Sequence, residues 1–151
     1  MKIHFELINP ENWRIFSALK VKKEQEEWVA AYITILARAY VYREDNSVVY
    51  AIYDSTTPIG LLMQRDYIDN GKRYCVLDQF MIDKKYQGKG YGKKAMQLWI
   101  SLIKKDTNYD SITLCYKEED LIASKLYQGL GFQHTGEVDE DEVIMEYKLR
   151  N

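Results

Sequence analysis

Residues 86–94, YQGKGYGKK, follow an apolar run, VLDQFMID, and carry three glycines and three lysines in nine positions. From Tyr91 onward the period is helical. Tyr91, Ala95, Leu98, Trp99, Leu102 and Ile103 share one face, while Lys93, Lys94, Gln97, Ser101, Lys104 and Lys105 take the other, as in an amphipathic helix. An extended strand therefore turns into a helix across bare backbone. The free N–H groups and the dipole of a helix start favour an anion. Cations in the first turn oppose that dipole at a cost of a few tenths to about 1 kcal/mol unless an anion lies close. A phosphate is the ligand that this pattern requests. A solvated lysine face accounts for Lys104 and Lys105, but not for the glycines at the helix start.

Two familiar phosphate loops fail the spacing. A P-loop needs Lys and then Ser or Thr after its second glycine, and here Gly92 and Lys93 are followed by Lys94. The dinucleotide fingerprint needs a third glycine where Lys93 stands, and it follows a first strand rather than a late one. The net charge of −2 opposes a general nucleic-acid binder, and the lysines have no aromatic platform among them.

The rest of the chain reads as one domain, 1–151. KIHFELI (2–8) is a short strand, and NPENWRIFSAL follows with Asn9 as N-cap and Pro10 at the first helical position. A second helix is expected over 24–38. Strands follow at 48–54, 58–68 and 73–83, the last two joined through Asn70-Gly71, a strong hairpin signal. Residues 110–117 form a strand that a β-α-β crossover makes parallel to 73–83. A helix from about 120 to 130 stops at Gly131, and FQHTGEV and EVIMEYKL close the chain as a hairpin through Asp139 and Glu140. The expected fold is α/β of the α+β kind: a mixed, mostly antiparallel twisted sheet of about seven strands with a central β-α-β crossover and about four flanking helices.

The most apolar window, WVAAYITILARAYVY, is interrupted by Arg38 and is too short to span a membrane. With no signal-like N-terminus, a cytoplasmic protein is expected. Cys75 and Cys115 lie singly in apolar runs and read as buried free thiols. His4 and His134 have no ligand-like spacing, so no metal is expected.

Gln87, Gly90 and Gly92 fit the Q/R-x-x-G-x-G/A signature of the GNAT N-acetyltransferase superfamily. ASKLYQGLGF (123–132) resembles that family's A-x-x-L-Y-x-x-x-G-F helix. The resemblance covers nearly the whole chain and implies the acyl-CoA N-acyltransferase fold, with acetyl-CoA as co-substrate and no metal. It puts the pyrophosphate of acetyl-CoA on the amides of Gln87, Gly88, Lys89, Gly90, Tyr91, Gly92 and Lys93. The pantetheine arm would run along Phe80, Met81 and Ile82. Tyr127 matches the tyrosine that protonates the departing thiolate, although a tyrosine there also suits an ordinary core. Asp120 stands where the family often has an Asn whose amide contacts pantetheine or orders the loop, which makes it a cofactor-binding candidate; it can cap the helix as Asn can, but when ionised it cannot donate a hydrogen bond.

Asp78 shares a face with Phe80 and Ile82 by alternation and is a candidate base, directly or through water; a structural carboxylate is the equal alternative. Carboxylates gather in EVDEDEVIME (137–146) and at Glu24, Glu26 and Glu27, where they would attract a cationic amine or simply be solvated. The runs LKVKKEQEEWVA, FMIDKKYQGKGYGKKAM and KLYQGLGF resemble the bacterial spermine/spermidine acetyltransferase branch. The implied acceptor is a polyamine held by Glu24, Glu27 and Asp78. Another amine (an aminoglycoside, an amino acid, a protein lysine or N-terminus) and a non-catalytic acyl-CoA sensor stay open, as does a homodimer. No nucleic acid or membrane partner is expected.

Overall fold

In the computed structural model, which describes residues 1–150, the strand-forming runs join one sheet. Strands β1 (Ile3–Leu7), β2 (Val48–Asp54), β3 (Thr57–Asp69) and β4 (Lys72–Ile82) form an antiparallel meander. β5 (Ser111–Lys117) is parallel to β4, and β6 (Gln133–Asp139) and β7 (Glu142–Lys148) form the closing hairpin. The seven strands run in the order β1-β2-β3-β4-β5-β7-β6. The β3–β4 turn takes the conformation its sequence asks for, with φ of 51° at Asn70 and 76° at Gly71.

Among the described residues three α-helices flank the sheet, against about four expected: α1 (Tyr32–Val41), α2 (Tyr91–Lys104) and α3 (Leu121–Gly129). Asn9 does cap a turn, its side chain accepting from the amides of Glu11 and Asn12, both at 2.9 Å. The helix does not propagate, because Asn12 turns back to donate to the Leu7 carbonyl at 3.0 Å and, past it, Phe16 is buried while Trp13 and Ile15 stay exposed. Only a 3₁₀ turn forms, over Ile15–Ala18. The second expected helix likewise starts late, at Tyr32, after a 3₁₀ turn over Lys23–Gln25.

Two apolar clusters sandwich the sheet. Ala95, Met96, Trp99 and Ile103 of α2 pack with Tyr127 of α3 on one face, whereas Phe16 and the α1 residues Tyr32 and Ile35 pack on the other. Trp99 is buried whole because its indole N–H reaches the Gln64 side chain at 2.8 Å. Cys75 is buried, as its apolar run suggests, but Cys115 is exposed on the side of β5 where that strand leaves β4. Among the described residues no helix is long and apolar enough to cross a membrane.

Candidate active site

β4 and β5 pair only at Tyr74–Ser111, Cys75–Ile112 and Val76–Thr113, although β5 keeps β7 as its partner as far as Lys117. Beyond Val76 the two parallel strands part, and a cleft of about 490 Å³ opens between Leu77–Ile82 on one side and Leu114–Lys117 on the other. The parting coincides with a bulge in β4. Met63 faces Gln79 and Gln64 faces Leu77, so Asp78 is the extra residue with no opposite number. A bulge bends its strand and increases the twist.

The bulge also corrects the placement of Asp78. Cys75 and Leu77 lie in the α2–α3 cluster, and Phe80 and Ile82 pack on that same cluster, so the alternation resets at residue 78. Asp78 turns instead to the α1 side, where Arg38 Nε donates to Oδ1 at 2.7 Å and Nη2 to Oδ2 at 2.9 Å. Arg65 Nε adds a bond to Oδ2 at 2.7 Å, and Gln79 one to Oδ1 at 3.2 Å. Burial pushes the Asp78 pKa up, but the guanidiniums of Arg38 and Arg65 outweigh it and hold the carboxyl below the usual carboxylate range. A side chain 2% exposed and bonded on both oxygens has little affinity left for a substrate proton.

The glycine loop forms the second wall. Gly90 is the N-cap of α2 with φ 87° and contributes no side-chain cap, so the first-turn amides have no side-chain partner from it. Gly92 has an unremarkable φ, and a Cβ there would meet Phe80 and Ile82 at no closer than 3.8 Å. Neither conformation nor packing within the chain asks for glycine at 92. Gln87, Gly88, Gly90, Gly92 and Lys93 line the cleft, as do Phe80, Met81 and Ile82. Lys89 and Tyr91 turn their side chains away: the Lys89 ammonium lies 5.9 Å from the Tyr86 ring, and the Tyr91 hydroxyl donates to Asp54 at 2.6 Å.

Gln87 has a structural task besides its amide. Its side chain donates to the Ile82 carbonyl and to Gln25 Oε1, each at 2.9 Å, and receives from Gln25 Nε2 at 3.0 Å. This amide pair fastens residues 21–29 to the loop, and Val21, Lys22, Gln25, Trp28 and Val29 become the cleft's third wall.

α3 supplies Tyr127. Asp120 caps the helix, accepting from the Ala123 amide at 3.1 Å, and lines the cleft in the same pose. The chain leaves the helix through Gly131 at φ 103°, and the Phe132 amide returns to the Tyr127 carbonyl at 3.0 Å. The Tyr127 ring is held by Phe132 and Tyr116, with centroids 5.8 and 6.1 Å away. Its hydroxyl has no hydrogen bond among the described residues, yet no buried side-chain oxygen there lacks a partner, so it opens to the cleft that Tyr127 lines. Burial, and then the charge of Asp120, push the phenol's pKa up.

Glu24 and Glu27 are exposed and do not line the cleft, although Gln25 and Trp28 between and beside them do. Three other carboxylates line it: Asp78, held by Arg38 and Arg65, Asp120, which caps α3, and Glu142, at the start of β7, opposite Lys117 of β5. Glu142 has no ion pair among the described residues, whereas Lys117 is paired with Asp141 at 3.0 Å. Glu142 was one of six acids in a run, with no local signal to single it out. Trp28 and Tyr116 likewise join the site only through tertiary structure.

A parallel strand pair that parts beside a bulge, a helix entrance with no side-chain cap and a tyrosine hydroxyl on the opposite wall have the layout of an acyl-CoA-dependent N-acyltransferase. Residues 8–132 match the model of the acetyltransferase (GNAT) family, and the chain belongs to that family. It is an N-acetyltransferase whose acetyl donor is acetyl-CoA. The spermine/spermidine N(1)-acetyltransferase of Bacillus subtilis (strain 168) is 30% identical over 148 residues, 92% of this chain and 93% of that protein. Among solved structures, the spermidine N-acetyltransferase from Vibrio cholerae in complex with CoA and spermine aligns with a TM-score of 0.77 at 18% identity, covering 98% of this chain and 96% of that one. An aminoglycoside acetyltransferase in complex with coenzyme A aligns with a TM-score of 0.78 at 17% identity, covering 97% and 95%.

Proposed function

We propose that this chain acetylates a primary amino group of a polyamine, spermidine or spermine, by direct attack on acetyl-CoA in a ternary complex. The observation that carries the polyamine reading is Glu142, a carboxylate on the cleft wall that no cation of the described residues pairs. An ammonium group is its natural partner, and the Bacillus relative named above acts on polyamines. Glu24 and Glu27, on the rim beside Gln25 and Trp28, attract the remaining charges of the amine from a distance.

The pyrophosphate rests on the amides of residues 87–93, with Lys93 as counter-charge, and the pantetheine arm lies along Phe80, Met81 and Ile82, whose backbone edge has no partner strand on the cleft side. The neutral amine attacks the acetyl carbonyl, and Tyr127 donates its phenolic proton to the leaving thiolate. Asp120 keeps its capping role and gives no hydrogen bond to the cofactor. Asp78 holds the bulge through Arg38 and Arg65 rather than taking a proton.

Thiol release from acetyl-CoA across an amine panel is the test. Spermidine and spermine should outperform monoamines. Activity confined to peptide N-termini or aminoglycosides would remove the polyamine reading, and stabilisation by acetyl-CoA with no thiol release from any amine would leave a sensor.

A further inference from the structure

Acetyl transfer to an ammonium leaves a proton to dispose of. The nitrogen starts with three protons and ends, as an amide, with one. As the N–C bond forms and the C–S bond breaks, one of the two lost protons ends on the CoA sulfur, by way of Tyr127. The other must reach solvent from a site walled by protein.

Tyr116 stands between the cleft and the surface. It is 8% exposed, lines the cleft, and its ring centroid is 6.1 Å from that of Tyr127. Its hydroxyl oxygen is 2.7 Å from His134 Nε2. His134 is exposed, on the outermost strand β6, and the β7 residue opposite it is Met145, which neither takes nor gives a proton. Since β7 lies between β5 and β6 in the sheet, the Tyr116–His134 bond crosses over a strand, where β6 departs from regular register with β7 between His134 and Val138. A buried phenol facing the cleft is thus joined by one hydrogen bond to an imidazole at the surface.

We infer that Tyr116 and His134 form a proton outlet for acetyl transfer. The inference rests on the amine-acetylating reading above. The Tyr116 hydroxyl receives the proton released by the ammonium, directly or through water, and passes its own to His134 Nε2, which delivers a proton to solvent. In this direction Nε2 accepts, so the resting imidazole carries its proton on Nδ1. Imidazole suits the task because one ring nitrogen can take up a proton while the other gives one up.

The experiment compares steady-state thiol release for the full chain and for His134→Ala, His134→Gln and Tyr116→Phe, each with and without added imidazole. His134→Ala should lower kcat by about 10²-fold, the scale of general acid–base help, with the KM for acetyl-CoA unchanged, and free imidazole should restore rate at this exposed position. His134→Gln keeps an acceptor for the Tyr116 hydroxyl but cannot carry a proton, so it should be as slow as the alanine variant; a wild-type rate in it would reduce the bond to a pin for β6 and overturn the outlet. Tyr116→Phe should be slow and deaf to imidazole. A wild-type enzyme that transfers acetyl while the His134 variants match its kcat overturns the outlet alone. A wild-type chain that releases no thiol with any amine overturns both readings.

Discussion

Arg38 grips Asp78 in a two-pronged bond, Nε to Oδ1 at 2.7 Å and Nη2 to Oδ2 at 2.9 Å, and so ties α1 to the one residue of β4 that has no place in the ladder. The fork fits a carboxylate better than any single contact. The Tyr42 ring lies 5.2 Å from the guanidinium of Arg38 and 4.5 Å from that of Arg65. The bulge beside the cleft is therefore clamped from the α1 face of the sheet.

Breaking this clamp should be costly in proportion to burial. Asp78→Ala leaves two guanidiniums without their anion and should destabilise the fold by about 3–5 kcal/mol in urea unfolding. Arg38→Ala should cost about 1 kcal/mol or less, because Arg38 is 37% exposed and Arg65 remains.

The same pair fixes a pH dependence. The folded-state pKa of Asp78 is lowered, so its contribution is present above the unfolded value near 3.9 and is lost as pH falls through the folded value. In Asp78→Asn, the fall of the urea midpoint below about pH 4 should become shallower. It should not vanish, because Asp66 also has a lowered pKa, where bonds from Tyr109, Asn46 and Arg73 prevail over the upward push of burial.

Gly90 and Gly92 should respond in opposite ways to alanine. At Gly90, φ 87° makes any Cβ strained and should cost about 1–2 kcal/mol. Gly92→Ala has room and lies in a helix, so the free protein should become more stable, by up to about 1 kcal/mol. The KM for acetyl-CoA should nonetheless rise in Gly92→Ala. A lower melting temperature or an unaltered KM in that variant would count against close approach of the cofactor to this backbone.

Tyr127→Phe tests the acid. The raised pKa keeps the phenol protonated through neutral pH, so kcat should fall by about 10²-fold while the KM for acetyl-CoA hardly moves. Steady-state kinetics with acetyl-CoA varied at saturating spermidine would separate the two.

Glu142→Gln should weaken the amine rather than the cofactor. A hydrogen bond to a charged group is worth about 1.5–3 kcal/mol, so kcat/KM for spermidine should drop roughly 10- to 100-fold with the acetyl-CoA KM retained.

Much of this architecture was legible because the strands alternate and the turns are punctuated. The β3–β4 turn at Asn70-Gly71, the face of α2 and the stop at Gly131 all follow local chemistry. What escaped was decided by contacts across the chain. Gln25 is buried, because it pairs with Gln87 sixty-two residues away; that pairing, with its bond from the Lys22 amide at 3.0 Å, accompanies a 3₁₀ turn where a longer helix is expected from the sequence. Asp78 escaped for a related reason: a bulge adds one residue and inverts the faces that follow, and alternation counted from either side cannot see it. Cys115, apolar in its neighbours, is exposed because the adjacent strand has left.

That departure has a consequence for how long the folded protein lasts. On its cleft side, β4 beyond Val76 is an edge inside a sheet, and a molecule that lies along it acts as the absent strand. By mass action, a ligand at 100 times its Kd adds about 2.7 kcal/mol to the folded state. In the proposed pose the acetyl donor is also a structural member, so the melting temperature should rise with acetyl-CoA concentration and fall back when the donor is withdrawn.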